Sequence, residues 1–546
     1  MRGKEKMQSK SQLIDLLCEL VAIKSITGTY AEIEMAKTVV GKLTQLNYFQ
    51  GHPEYLQLHP TGDGRYFVTA LHKKENARKT IVLVSHFDVV DVEDYGVLKE
   101  YAFYPKVLTE LMQKRKEEYP SHVQEDLESG EWLFGRGTMD MKCGLAIHMA
   151  LIEQACLGKF DGNLLLLTVP DEEVNSVGMR TAVPVLVEMA KEYDLQYELV
   201  LNSEPTFSLY PGDKNYYMYT GSIGKILPGF LCYGQEMHVG EPFSGLNAAL
   251  MSAMVTTEME LNTNFCEMAP FQESPPPTAQ LQKDLKTDYS VQIPHRSVSL
   301  YNLLLMERSI EKTVDMLLET AKKAAEKIER FYHQRVEEYA RLHWKESIDK
   351  TISVSVYTFE QLRSYAVLTF GTEHIEALEQ KVWEKSGGMS DRELSIQLVD
   401  EYAMLCNELG PMIILFFAPP FYPAVETSGH PLIQQLREEM TEYAQKTYHI
   451  PLISLHYFNG ISDLSYVGLK EELSGVTAYT GNVPVWGETY SIPFHELKQL
   501  DVPVLNFGPV GRDPHQQTER LHVDYAFVKL KDMLEKLVCT VFSDKG

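Results

Sequence analysis

The sequence predicts an α/β fold, a mainly parallel sheet with helices on both faces, interrupted by an inserted α+β segment. Three observations predict it. The runs "TIVLVSHFD", "GNLLLLTVPDEE" and "YELVLNSEPT" are apolar almost throughout, as strands covered on both faces must be. "GLAIHMALIEQACLG" and "GMRTAVPVLVEMAKEY" carry helical spacing between them, and such alternation marks a parallel sheet. The pattern changes after about residue 215 and returns with "PLISLHYF" and "PVLNFGPVG". The reading therefore divides the chain into residues 1–215 and 418–546, which form one unit, and an insertion at 216–417.

Taken in order, the N-terminal "SQLIDLLCELVAIKSIT" places Ile14, Leu17, Cys18 and Val21 at helical spacing, with Ser11 as the expected N-cap. Asp15 and Glu19 within it argue against a signal peptide. Within the insertion, "SPPPTAQLQKDLKTDY" (Ser274 to Tyr289) reads as a Pro-rich charged loop. "SVSLYNLLL" and "TISVSVYTF" read as strands, and "TVDMLLETAKKAAEKIERFYHQRVEEYARL" as one long helix with a solvated face.

The bulk properties narrow the function. A net charge of −25 over 546 residues argues against nucleic-acid binding, which needs a basic face. The seven cysteines are scattered and form no C-x-x-C pair, so reduced thiols and a cytoplasmic location are expected. "PMIILFFAPP" falls well short of the roughly 18 apolar residues a membrane span requires, so no membrane association is expected.

The chemistry gathers at strand ends. One strand ends on His86 and Asp88, a second on Glu172 and Glu173, a third on Glu204, and a fourth leads to His515. In open parallel sheets the carboxyl ends of the strands build the site. "LFGRGTMDMKCGLAIHMA" places Asp140 before an apolar helix, with Gly135 and Gly137 allowing a tight path beside it. Singly each is ordinary: a polar strand end, a helix N-cap, an acidic first helical turn. Together, two histidines and several carboxylates make a donor set suited to zinc and similar divalent ions.

"SHFDVV", "GRGTMDMKCG", "PDEE", "SEPT" and "DPHQQTE", in this order, resemble the signature set of the M20 metallopeptidases; Cys143, between Lys142 and Gly144, is a small departure. The motifs run from Ser85 to Glu519, most of the chain. The resemblance implies a zinc-hydrolase catalytic domain with an inserted, dimerisation-type lid. It implies two divalent ions, zinc first, with cobalt or manganese as alternatives. Asp140 would bridge them, His86 and Glu204 would hold one, and Glu173 and His515 the other. Asp88 would orient the His86 imidazole. Glu172 would be the general base, taking a proton from the attacking water and passing it to the leaving amine. "GQEMHVGEPFSGLNAAL" resembles the lid motif, which implies that His238 helps stabilise the oxyanion, supplied in dimeric relatives by the neighbouring subunit. "FNGISDLSY" resembles a late stretch in which Gly460 and Asp463 would line the substrate pocket.

The implied function is metal-dependent hydrolysis of an amide in a small molecule or short peptide, by a deacylase or peptidase. An exopeptidase or dipeptidase with the same site, and a metal-binding relative without catalysis, are the alternatives. The length and middle region resemble arginine-utilisation members, which implies a place in arginine or amino-acid degradation. Many relatives carry a lid-strand arginine that binds a substrate carboxylate. The matching place here falls near Leu304, with no arginine, and Arg296 is nearby.

Overall fold

The computed structural model describes residues 6–543 except 207, 211, 212, 214, 287 and 343–350. An eight-stranded sheet runs in the order 56–60, 66–72, 163–169, 79–86, 196–202, 504–506, 216–219, 452–455. At its centre, Lys79–His86 pairs in parallel with Asn163–Val169 on one side and Gln196–Asn202 on the other. Val504–Asn506 continues the parallel run. The first two strands, Leu56–Pro60 and Tyr66–His72, form an antiparallel edge that the sequence reading did not anticipate.

Strand alternation explains why the central segments are apolar at every position. Ile81, Leu83, Leu164 and Leu166 pack on one face with the helix Lys142–Cys156. Val82, Val84, Leu165 and Leu167 pack on the other with Met179, Val183 and Leu186 of the helix Val177–Glu192. Both faces being covered, polar side chains can enter only at the strand ends, and His86 is the last residue of its strand.

The insertion forms a second, five-stranded sheet in the order 278–284, 296–305, 224–233, 412–422, 355–358. One face packs on the helices Ala248–Met259 and Ile310–Leu342, the other on Phe359–Phe370 and Asp391–Leu405. The long helix buries Ile310, Val314, Leu317, Ala321, Ala324 and Ile328, a stripe at helical spacing.

Several expectations need correction. Thr278–Asp284, within the expected loop, is an edge strand; its side chains are mostly exposed, so its composition imitates a loop. Ser9, not Ser11, caps the first helix, Lys10–Ala22, because Ser9 and Gln12 close a capping box. The expected boundary at 216 falls within the large sheet, since Tyr216–Tyr219 pairs in parallel with Leu452–Leu455. The one at 417 falls inside the strand Met412–Tyr422. Just beyond these points Gly221–Ser222 pairs with Val425–Glu426 in a short antiparallel clasp. We propose that clasp as the boundary between the catalytic and lid units.

Candidate metal centre

Five segments far apart in sequence bring their polar ends together above the large sheet. His86 is nearly fully buried, and its Nδ1 lies 3.1 Å from the backbone carbonyl of Asp88. A carbonyl only accepts, so Nδ1 carries a proton, and in the neutral ring Nε2 keeps its lone pair outward. Nε2 lies 3.3 Å from Asp140 Oδ1 and 3.5 Å from Glu204 Oε1. On the opposite side His515 Nε2 lies 3.3 Å from Asp140 Oδ2 and 3.2 Å from Glu173 Oε1. Two triads result, His86–Asp140–Glu204 and Asp140–Glu173–His515, each with its donor atoms within 4.8 Å of one another. Asp140 contributes one oxygen to each.

The spacing fits an ion in each triad. Separations of 3.2–3.5 Å lie at or beyond the long end for N–H···O bonds. They match the edge, roughly 3.3 Å, of a tetrahedron of ligands about 2 Å from a central ion. Glu204 Oε1 is buried with no hydrogen-bond partner among the described residues, the condition of a carboxylate oxygen that awaits a cation. The electrostatics agree. Burial, then the charges of Asp463 and its neighbouring carboxylates, raises Glu172 well above the carboxylate range, His86 opposing. Burial likewise raises Glu204 and Glu173. Burial disfavours charge on His86, yet Glu204, Asp140, Asp88 and Glu172 lift it well above its ordinary value. Hydrogen bonds to Asp140 and Glu173 raise His515 to about 11. Carboxyl groups whose ionisation burial disfavours, beside histidines whose protonation those carboxyls favour, make a donor set that divalent cations would balance.

The backbone around these groups is tightly held. Glu519, fully buried, accepts the Gly137 N–H at 2.7 Å and Arg136 Nη1 at 2.6 Å, fixing the loop that leads to Asp140. Gly137 has φ +77°, and a Cβ there would meet Val89 at 2.8 Å, so this turn requires glycine. Burial raises Glu519 to about 7 against the pull of Arg136. Asp171, at φ +70°, starts the turn that carries Glu172 and Glu173. Arg65 Nη1 reaches Asp171 Oδ1 at 2.9 Å and Glu32 Oε2 at 3.1 Å, and Glu32 Oε1 accepts the Asp171 N–H at 3.1 Å. Sequence reading missed Glu32, Arg65 and the role of Glu519. The signal available was that charged residues in apolar surroundings need partners, but the partners lie 33 to 383 residues away.

Asp88 differs in detail from its expected place. Its carboxylate lies 3.5 Å from His86 Nδ1, farther than its own carbonyl. Oδ1 accepts the Glu172 N–H at 3.1 Å, and Oδ2 accepts the Glu173 N–H at 3.3 Å and the Thr27 hydroxyl at 2.8 Å. Glu172 Oε2 stands 3.9 Å from His86 Nε2, beside the triads and in neither.

Of the other expected residues, Asp463 is brought to the cluster. It is buried, neither carboxylate oxygen has a hydrogen-bond partner among the described residues, and burial raises it to about 7. Gly460 is exposed nearby in sequence. His238 is not brought in: it lies on an exposed lid loop, where its Nδ1 accepts the Gly240 N–H at 3.0 Å. Arg296 is committed within the lid to Asp400, at 2.5 Å. Leu304 pairs in register with Lys225 of the neighbouring strand.

The lid meets the cluster at the turn after Glu173. Tyr422 donates its hydroxyl to the Glu172 carbonyl at 2.9 Å, and Asn175 donates to Asp391, the first residue of a lid helix, at 2.9 Å.

With this geometry established, comparison with known proteins is informative. A sequence model of peptidase family M20/M25/M40 matches residues 82–484. The chain is 47% identical over 527 residues to the uncharacterised protein YqjN of Bacillus subtilis, covering 96% of each. It is 28% identical over 531 residues to protein RocB of the same organism, covering 95% of this chain and 93% of that one. Among solved structures, an M20 family metallo-carboxypeptidase of Sulfolobus solfataricus superposes with TM-score 0.54 at 13% identity, covering 97% and 99% of the two chains. A dipeptidase of Saccharomyces cerevisiae does so with TM-score 0.54 at 11% identity, covering 98% and 97%.

Proposed function

The chain belongs to peptidase family M20/M25/M40, and from that premise we propose a specific division of labour for a metal-dependent hydrolase of amide bonds. His86, Asp140 and Glu204 hold one divalent ion, and Asp140, Glu173 and His515 hold a second. The observation that carries this reading is the position of Asp140, with Oδ1 toward His86 and Oδ2 toward His515. Zinc suits the donor set, with cobalt or manganese next.

When bound, the two ions polarise the scissile carbonyl and make the attacking water more acidic. The protein's own groups do the rest. Asp88 and Tyr422 hold the turn that carries Glu172, which stands free of both triads. Glu172 takes a proton from the attacking water and delivers it to the amine nitrogen, so that amide plus water yields acid plus amine. Asp463, buried and with a charge that bears on Glu172, is assigned to the substrate side of the site. His238 is too exposed to be an oxyanion donor within its own chain. It fits that role across a lid-to-lid homodimer, reaching a second copy's site. The substrate is a small N-acyl compound or short peptide, and the resemblance to arginine-utilisation members supports a role in arginine or amino-acid degradation, which would lie in the cytoplasm. Among the described residues no helix is long and apolar enough to cross a membrane.

The test is direct. The protein is stripped with chelator, reloaded with zinc, cobalt or manganese, and assayed on panels of N-acyl amino acids and dipeptides. Two ions per chain and metal-dependent hydrolysis are expected. Failure to bind metal, or a metal-loaded protein inert on both panels, overturns the reading.

A further inference from the structure

The two histidines of the cluster are held in different ways. His86 ends a buried strand, its side chain is 1% exposed, and the bond from its Nδ1 to the Asp88 carbonyl fixes the ring. The His515 side chain is 48% exposed, and its Nδ1 makes no hydrogen bond among the described residues. The direction of the His515 ring is therefore set by the backbone that carries it. That backbone turns sharply: Asp513 and His515 have φ of +53° and +60°, in the left-handed region that side chains disfavour.

A network of charges holds this turn in place. Residues 513–519 form the loop of a hairpin whose strands, Gly511–Arg512 and Arg520–His522, pair at Arg512 and Arg520. Two cations opposite one another repel, yet here both reach one acid. Arg512 Nη1 donates to the two oxygens of Asp126 at 2.9 and 2.7 Å, and Arg520 Nε donates to Asp126 Oδ2 at 2.7 Å. Asp126 lies on the helix Ser121–Ser129, which fixes the base of the hairpin to the catalytic unit. The other end of the Arg520 guanidinium turns into the loop. Its Nη1 donates to the Thr518 carbonyl at 2.9 Å and to Asp513 Oδ2, which also accepts the Thr518 hydroxyl at 2.7 Å. Arg520 is fully buried, with its guanidinium 5.5 and 5.6 Å from the centres of the Phe134 and Trp132 rings. Its fork is held at both ends, and Asp513 and Thr518, which flank His515, are tied to it.

We infer that Arg520 is a positioning residue for the second metal position. It holds His515 in line with Asp140 and Glu173, and so sets how tightly that ion is kept. His86 and Glu204 follow from strands of the large sheet and owe nothing to the hairpin. The ion between Asp140, Glu173 and His515 is therefore the one that loads second and exchanges first. This inference rests on the metal assignment proposed above and adds which position is the weaker and why.

In the experiment, zinc alone is titrated into the chelator-stripped protein, by calorimetry or against a chromophoric chelator. The wild type should bind two ions in two steps, and His515→Ala identifies the weaker step as the one that needs the hairpin. Arg520→Met should weaken that step about ten- to a hundredfold, the usual effect of losing an outer partner of a ligand, and leave the other within about twofold. Removing a positive charge would by itself favour a nearby divalent ion, so weaker binding reports lost position and not lost charge. Arg520→Lys keeps the charge without the planar fork and should behave as Arg520→Met does. Combining Arg520→Met with His515→Ala should add nothing to His515→Ala, because the ligand being positioned is gone. Thr518→Val, a neutral change of nearly the same shape, removes one bond to Asp513. It should weaken the same step several-fold with the melting temperature of the metal-free protein close to wild type, and it decides the matter if Arg520→Met does not fold. Equal weakening of both steps overturns the inference while two-ion binding stands. So does an unchanged weaker step in Arg520→Met, or in Thr518→Val where that variant decides, and so does a further loss when Arg520→Met is added to His515→Ala. A wild type that binds no zinc overturns the metal assignment and this inference with it.

Discussion

The carboxylate of Asp88 accepts the backbone N–H of Glu172 at 3.1 Å, and its second oxygen takes the next N–H, that of Glu173, at 3.3 Å. One side chain therefore sets the backbone of a proposed base and of a proposed metal ligand together, while its own carbonyl fixes the His86 tautomer. Asparagine can accept only one of these N–H groups and turns an NH₂ toward the other. Asp88→Asn should lower kcat about ten- to a hundredfold while two metals per chain remain, as for other outer partners of ligands. Metal analysis beside steady-state kinetics checks this, and metal loss as complete as in His86→Ala would refute it.

Glu172 should be separable from metal binding, since it belongs to neither triad. Glu172→Gln should keep both ions and lose on the order of a hundred- to ten-thousandfold in kcat, the usual contribution of a general base. A fully active Glu172→Gln enzyme would show that another group moves the proton.

Removing individual ligands should give unequal metal counts. Asp140→Ala should empty both positions, because each triad loses an oxygen. His515→Ala should lose mainly one ion, because His86, Asp140 and Glu204 remain. Native mass spectrometry of the two variants reads the difference, and equal stoichiometry would contradict a shared Asp140.

The Arg65 pairs are a stability prediction. Arg65 is mostly buried and lies between Glu32 and Asp171, which are more deeply buried still. Arg65→Met leaves two carboxylates buried without their partner, a loss of about 3–5 kcal/mol by the general cost of breaking such pairs. Urea denaturation measures it. Because Asp171 begins the Glu172–Glu173 turn, activity should fall at temperatures where the variant is still folded.

Lys142 gives a pH dependence of definite sign. Its ammonium is fully buried, donating to the carbonyls of Leu20 and Ile23, and burial lowers its pKa to about 7 against the pull of Asp88 and Glu519. Between about pH 7 and the ordinary lysine value, the unfolded chain holds a proton that the native chain lacks. Stability should therefore gain a contribution from Lys142 as pH rises through that window. Bound ions would lower the pKa further, with the same sign. Denaturation midpoints of wild type and Lys142→Met, compared from pH 6 to 10, should diverge at the acidic end, and parallel curves would count against it.

The strands were legible because they are local signals, whereas the triad residues, ordinary one by one, stood out only as a set through the resemblance of their motifs. An apolar run covered on two faces looks the same in any chain, and a polar residue at its end is conspicuous. What was not legible depends on partners distant in sequence. The carboxylate of Asp88 could be matched to His86 two residues away, yet its nearer partners are 84 and 85 residues on. Thr278–Asp284 has the composition of a loop because an exposed edge asks for little else. The absence of arginine at Leu304 could be read directly, but that Lys225 stands opposite needs the strand register.

The clasp of Gly221–Ser222 with Val425–Glu426 has a further consequence. Chain departure and return lie side by side, with Ser222 opposite Val425. Everything between them is an excursion whose two ends already touch, so its length places no demand on the spacing of the strands beneath. Added loop length between touching ends costs little, about 0.6 kcal/mol per doubling for a flexible segment. Whole helices such as Ile310–Leu342 could accrete there over evolutionary time without shifting the strand ends that carry His86 and Glu204.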